Sequence, residues 1–519
     1  MLGNSQLFLI SLFVVFGANY LLNRIKWGQS SDHAVHLFLI HNIRENRHRL
    51  FSRVPRLLNP GYLGAYPLFL HWCLSFFGDK WIERIVLLLN PLANALLVTL
   101  LYGFATVFAP PGFPLGWLCL LFALVPQFYH TSNARSAGIS SRGIGLVLYH
   151  LYCQLVLVAE ISGPSWPIMV EIVVVGYLIW GFNTFAMQAV ILCGLVTGLF
   201  FQGWMFLSFF FIALIVFIIL HPRYGFAYVK HTLSFINTYR TDIAGVFILE
   251  VRHSLWRDFV YDIPVRMYRS LAGGILYAYG NSFLIVLILN PLTILAVWSG
   301  FRLSIDDPWL RGQWEYAVAG FVVFLLTSLR MTRFLGEPER YVELMTPSAA
   351  IVSVGLSHAL GWEPAMIGII IVWSGLLVLL QFILSVYSAR STGRPFLHDT
   401  ERIAKLINRH GQHEPIRFAS NNENMTKYMM LQPWSFAKYW SADQRYGGAR
   451  FRECFSKYPY VGAETLERVI REYKVNYCLL DKRVYSSVSI PTHGDQLRIN
   501  MLLDDDKYSL FHIQWNNLA

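Results

Sequence analysis

Apolar stretches long enough to cross a lipid bilayer recur along this chain, and they constrain everything else about it. They lie at roughly 5–22, 82–108, 114–130, 140–160, 167–183, 184–201, 204–220, 273–300, 313–330, 345–361 and 364–388. A helix needs about 20 residues to span hydrocarbon, where no water satisfies a bare backbone group. Such a pattern predicts a polytopic α-helical membrane protein with about 11 spans. Composition agrees, since 55% of the 519 residues are hydrophobic and only 14% are charged, which excludes an ordinary soluble enzyme. The opening Met-Leu-Gly-Asn-Ser-Gln lacks the basic n-region of a signal peptide, so the first apolar stretch is expected to be a retained span.

Two regions interrupt this pattern. A long polar, basic and aromatic loop occupies 23–81, between the first two spans, and from about Pro395 the composition becomes that of a soluble domain. The expected division is a membrane domain over 1–394 and a soluble α/β domain over 395–519. In the latter, helical spacing over 401–408 and 463–473 alternates with short apolar strands at 416–420, 475–480 and from 508 onward, which suggests a largely parallel sheet. No Gly-rich fingerprint follows a strand, so nucleotide binding is not expected. An odd number of spans puts the first loop and the C-terminal domain on one side. Lys and Arg bias would place that side in the cytoplasm, because the loop holds Arg24, Lys26, Arg44, Arg47, Arg49, Arg53 and Arg56. Long loops obey that rule poorly, and phosphate binding supplies another reason for arginines, so an external loop is expected. The net charge of +11 has the same two readings, basic loops on anionic lipid or a phosphate site, with no nucleic-acid partner. Six scattered cysteines form neither a disulfide framework nor a zinc pattern.

Several residues in these regions can carry chemistry. Asp32 follows Gly28-Gln-Ser-Ser31 and opens an amphipathic stretch in which Val35, Leu37, Leu39 and Ile40 could face a membrane interface. It is either a helix cap or a positioned general base. His33 and His36 share a helix face, His33 being the closer to substrate; a divalent metal held with Asp32 is the competing reading, and no metal site or cofactor is assigned. The run from Arg44 to Arg56 suits phosphate oxygens or lipid headgroups equally. Tyr66-Pro67 and His71-Trp72 begin a second aromatic helix. Later, Thr131–Arg142 offers a small-residue loop with Arg135, and Arg330–Glu343 places Glu339, Arg340 and Tyr341 beside a membrane helix. There, ionisable residues mark either a site or internal pairing such as Glu339 with Arg333 or Arg340. The Pro222–Arg269 segment adds more arginines to the same predicted side.

In order, Ser31-Asp32-His33, Ile43-Arg44-Glu45-Asn46, Tyr66-Pro67-Leu68-Phe69-Leu70-His71-Trp72, Asn133-Ala-Arg135-Ser-Ala-Gly138 and Gly336-Glu-Pro-Glu-Arg340-Tyr341 resemble the GT-C superfamily of membrane glycosyltransferases. That group includes the dolichyl-phosphate-mannose protein mannosyltransferases and the lipid A aminoarabinose transferases. The resemblance implies a sugar donor on a polyprenyl phosphate or pyrophosphate, and an acceptor hydroxyl on a glycolipid, glycan or protein. It makes Asp32 the base and Arg340, Tyr341 and more weakly Arg135 the phosphate ligands, with His33, Arg44, Tyr66, His71 and Glu339 as further substrate contacts. It implies a bacterial plasma membrane, or the endoplasmic reticulum in a eukaryote, with loop and C-terminal domain external. Asp32-His33 replaces the paired acids of several branches, which puts metal dependence in doubt. A transporter or flippase of polyprenyl-linked sugars and a non-catalytic assembly subunit are the rival readings, although no internal repeat supports the former.

Overall fold

A computed structural model describes residues 3–27, 31–54, 56–58, 62–63, 67–130, 138–238, 240, 258–271, 274, 278, 281–302, 305–329, 331–361, 363–390, 394–411, 414–432, 437–441, 454–457, 460–483 and 497–515. The chain forms two units. One is drawn from Met1–Trp27, Asp79–Pro222 and Ile248–Tyr387, the other from Gly28–Gly78, Arg223–Phe247 and Ser388–Ala519.

The first unit is helical, and helices occupy the described part of every apolar stretch. Among the described residues five helices are long and apolar enough to cross a membrane: Asn4–Lys26, Asp79–Phe108, Arg142–Ser162, Thr184–Phe201 and, within Glu363–Ser388, the residues from Gly368. Shorter apolar runs cover Leu115–Tyr129, Trp166–Phe182 and Met205–Leu220. Two predicted spans break where proline forbids continuation. The 114–130 stretch is a helix over Leu115–Ala123 followed by a 3-10 turn at Pro126–Tyr129. The 273–300 stretch divides at Asn290 into Ser282–Leu289 and Pro291–Arg302, since Pro291 has no N–H to donate and suits the first position of a new helix. The break frees a polar side chain inside the unit: Asn290 is fully buried and its amide donates to Gln127 Oε1 at 2.7 Å and Thr346 Oγ1 at 2.6 Å. Farther along, Gln154 and Gln313, both fully buried, join their amides at 2.9 Å and fasten two helices.

The second unit combines the first loop with the C-terminal region. In the loop, Ser31–Glu45 is a helix, β1 (Ser52–Arg53) pairs antiparallel with β2 (Tyr62–Leu63), and Phe69–Ser75 is a second helix. Val35, Leu39 and Ile40 are fully buried in the protein rather than laid on an interface. The helix ends where Arg47 and His48 take left-handed backbone angles, φ 55 and 58°.

The C-terminal region contains β3 (Arg417–Ser420), β4 (Lys438–Tyr439), β5 (Phe455–Lys457), β6 (Tyr460–Val461), β7 (Tyr477–Asp481), β8 (Leu497–Asp504) and β9 (Tyr508–Trp515). Five of them form one sheet in the order β4-β3-β7-β9-β8. The expectation of a largely parallel sheet is corrected here. The pairings are mixed: β4–β3 and β3–β7 are parallel, whereas β9 is antiparallel to both of its neighbours, β7 and β8. The physical reason is a hairpin: Asp505 accepts the backbone N–H of Lys507 at 2.8 Å and of Tyr508 at 2.7 Å, and this turn reverses the chain after β8. Helix Ala463–Glu472 lays Leu466, Val469 and Ile470 inward at helical spacing and leads into β7. The loop is sewn to this sheet, because Leu58 N–H donates to Tyr439 O at 2.8 Å and Tyr439 N–H to Arg56 O at 2.9 Å.

Candidate functional site

Two groups of ionisable residues stand out, one in each unit. In the second unit, Asp32 sits in the first turn of Ser31–Glu45, just inside its start, where the unsatisfied N–H groups favour an anion. It is half-buried. His33 beside it is buried, and desolvation draws its pKa down to about 4, so the imidazole is neutral at pH 7. The Glu423–Met429 helix packs against the Asp32 helix. Its Tyr428 is buried, and the phenol is pushed up by burial and then by the charge of Asp32. That phenol stays protonated and able to donate a hydrogen bond. Tyr428 lies almost 400 residues along the chain from Asp32, and no sequence pattern linked them.

Other loop residues make contacts between the elements of this unit. His36 Nδ1 and His71 Nε2 are 2.8 Å apart in a buried pair that ties Ser31–Glu45 to Phe69–Ser75. Arg44 donates to Ser75 O at 3.2 Å and to Phe77 O, closing the C-terminal end of the second helix, where carbonyls lack partners. Arg56 pairs with Glu45. Leu68 N–H donates to Tyr224 OH at 2.9 Å, which binds the loop to the helix Pro222–Thr238. Among the described residues no three His, Cys, Asp or Glu side chains are grouped to hold a metal ion. Tyr66 and Arg135 lie outside the described residues.

In the first unit, the segment before Glu339–Ala359 gathers charge. Gly336 has a φ of 112°, a value L side chains rarely adopt, and turns the chain into the helix with the Phe185 ring beside it. Arg340 pairs with Glu337, not with Glu339, and Arg142 Nη2 reaches the same Glu337 carboxylate at 3.9 Å. The Arg340 guanidinium lies 5.3 Å from the centre of the Phe185 ring. Glu339 is turned elsewhere: its carboxylate accepts from Ser282 Oγ at 2.6 Å and its carbonyl from Gln127 at 2.8 Å. Tyr341 is fully buried, stacks near Phe185 and donates its hydroxyl to Leu335 O at 2.8 Å. Asn183 supports the group by capping Thr184–Phe201 and donating to Ser141 just before Arg142. Arg142 and Glu337 were visible in the sequence only as flanks of the segments that contain Arg135 and Arg340.

No protein-family profile and no curated protein matches the sequence. Solved structures do match the fold. ArnT from Cupriavidus metallidurans bound to undecaprenyl phosphate superposes with a TM-score of 0.58, covering 98% of each chain at 11% identity. Its apo state gives 0.56 over 97% of each chain at 12% identity. The fold is the one seen in these two ArnT structures. At such low identity the likeness is one of architecture, extending over nearly the whole of each chain. It agrees with a chain of membrane-crossing helices that ends in a sheet-containing region.

Proposed function

We propose that this protein is a membrane glycosyltransferase that moves a sugar from a polyprenyl-phosphate donor to a hydroxyl of a glycolipid, glycan or protein. The observation that carries this reading is the fold shared along nearly the whole chain with a protein bound to undecaprenyl phosphate. The chemistry is a displacement at the anomeric carbon. Asp32 takes the acceptor proton, the acceptor oxygen bonds to the anomeric carbon, and the bond from that carbon to the phosphate oxygen breaks. The electron pair leaves with the phosphate, whose charge Arg340 neutralises. Tyr341 is assigned a supporting role, because its hydroxyl is already engaged by Leu335. His33 and His71 shape the Asp32 helix on this reading, and Arg44 fixes its partner helix. Eleven crossings would place the loop and the C-terminal region together on the external face.

The test is transfer by membranes carrying wild type or Asp32→Asn, supplied with a panel of radiolabelled polyprenyl-phosphate sugars and acceptor glycolipids. Transfer by wild type that is lost in Asp32→Asn supports the reading; equal transfer by both removes Asp32 as the base. A reporter fused after Ala519 that reads out on the cytoplasmic side would overturn the external placement.

A further inference from the structure

Three helices of the first unit begin around one carboxylate. Arg142–Ser162 starts at Arg142, Thr184–Phe201 has Phe185 in its first turn, and Glu339–Ala359 starts directly after Glu337-Pro338. The first turn of a helix carries the equivalent of about half a positive charge. Arg142 and Arg340 add two guanidinium groups and approach the same Glu337 oxygen from different helices. Phe185 lies beneath Arg340. The other acid of the segment, Glu339, is directed to Ser282 instead. All three charged side chains remain partly open, with 23% exposure for Arg142, 21% for Glu337 and 20% for Arg340. An anion is what this arrangement selects, and Glu337 is the anion the chain itself supplies. Carboxylate and phosphate present the same acceptor geometry to a guanidinium fork, but phosphate brings more charge and more oxygens.

We propose that Glu337 is a resident stand-in for phosphate: its carboxylate holds Arg142 and Arg340 in place while the site is empty and is displaced by the phosphate group of a polyprenyl phosphate. Arg142 thereby becomes a second phosphate ligand alongside Arg340. Competition from Glu337 weakens the hold on lipid phosphate, so the product lipid leaves instead of trapping the enzyme. This inference rests on the assignment of Arg340 to the donor phosphate.

The experiment titrates the purified full chain in nanodiscs with undecaprenyl phosphate, inorganic phosphate or undecaprenol, and follows bound ligand by native mass spectrometry and by thermal shift. Glu337→Gln should bind undecaprenyl phosphate about tenfold more tightly than wild type, the scale of one charge-assisted contact, with undecaprenol unaffected. Arg142→Gln and Arg340→Gln should each weaken undecaprenyl phosphate by a similar factor. Inorganic phosphate that displaces the lipid from Glu337→Gln supports a shared phosphate site; tightening seen for inorganic phosphate alone overturns the lipid assignment. Unchanged or weaker lipid binding by Glu337→Gln, with Arg340→Gln still impaired, defeats the stand-in while leaving the phosphate reading intact. Unimpaired binding by Arg340→Gln defeats that reading and the inference together. Should Glu337→Gln fail to fold, Glu337→Asp gives the same test, because its shorter reach should yield an intermediate tightening.

Discussion

The Ser31–Glu45 helix and the Glu337–Tyr341 segment both bring ionisable groups out of open solvent, and they manage charge in opposite ways. Beside Asp32 two titratable groups are kept uncharged: burial holds His33 neutral, and burial together with Asp32 holds the Tyr428 phenol protonated. Around Glu337 charge is answered by charge, with two arginines on one carboxylate. A carboxylate clamped by guanidinium groups cannot readily accept a proton from a substrate. The difference is why the base is proposed at Asp32 and not at Glu337, although both regions read as loops rich in charge.

The strongest way to break this contrast is to remove the proposed base. Asp32→Asn should lower transfer by about 10²- to 10⁴-fold, the usual contribution of general base catalysis. The matching change in the other region, Arg340→Gln, should cost about ten- to a hundredfold in transfer, since it removes one charged contact to the leaving phosphate while Arg142 remains. Both are read from initial rates on the same radiolabelled donor.

Stability changes sharpen the contrast further. Asn183→Ala removes a cap and two hydrogen bonds to Ser141, and is expected to destabilise by about 1–2 kcal/mol, measured by thermal unfolding in detergent. A pH effect concerns His33. Its folded pKa of about 4 lies below the usual 6.5, so the unfolded chain binds the additional proton. Its contribution to stability is complete above pH 6.5 and is lost as the pH falls from there toward 4. The melting temperature of wild type should drop over that window, and His33→Gln should make the drop shallower. An equally steep drop in His33→Gln would show that the histidine is not held neutral in the fold.

The sequence on its own marked where helices lie, because hydrophobic length is a local property, but not that the 114–130 and 273–300 stretches would each divide. It also singled out Asp32, Arg340 and their flanks, since charge beside an apolar run is costly and conspicuous. The strands of the C-terminal region were legible where apolar residues cluster, as in Tyr477–Asp481, and less so in Leu497–Asp504, where Arg498 and Asn500 alternate with apolar neighbours. Partner choice was not legible. That Arg340 meets Glu337 instead of Glu339, that Tyr428 meets the Asp32 helix, and that β9 lies antiparallel to β7 were decided only by tertiary structure. Each depends on segments distant in the chain or on which way a turn directs a side chain, and neither spacing nor composition carries that information.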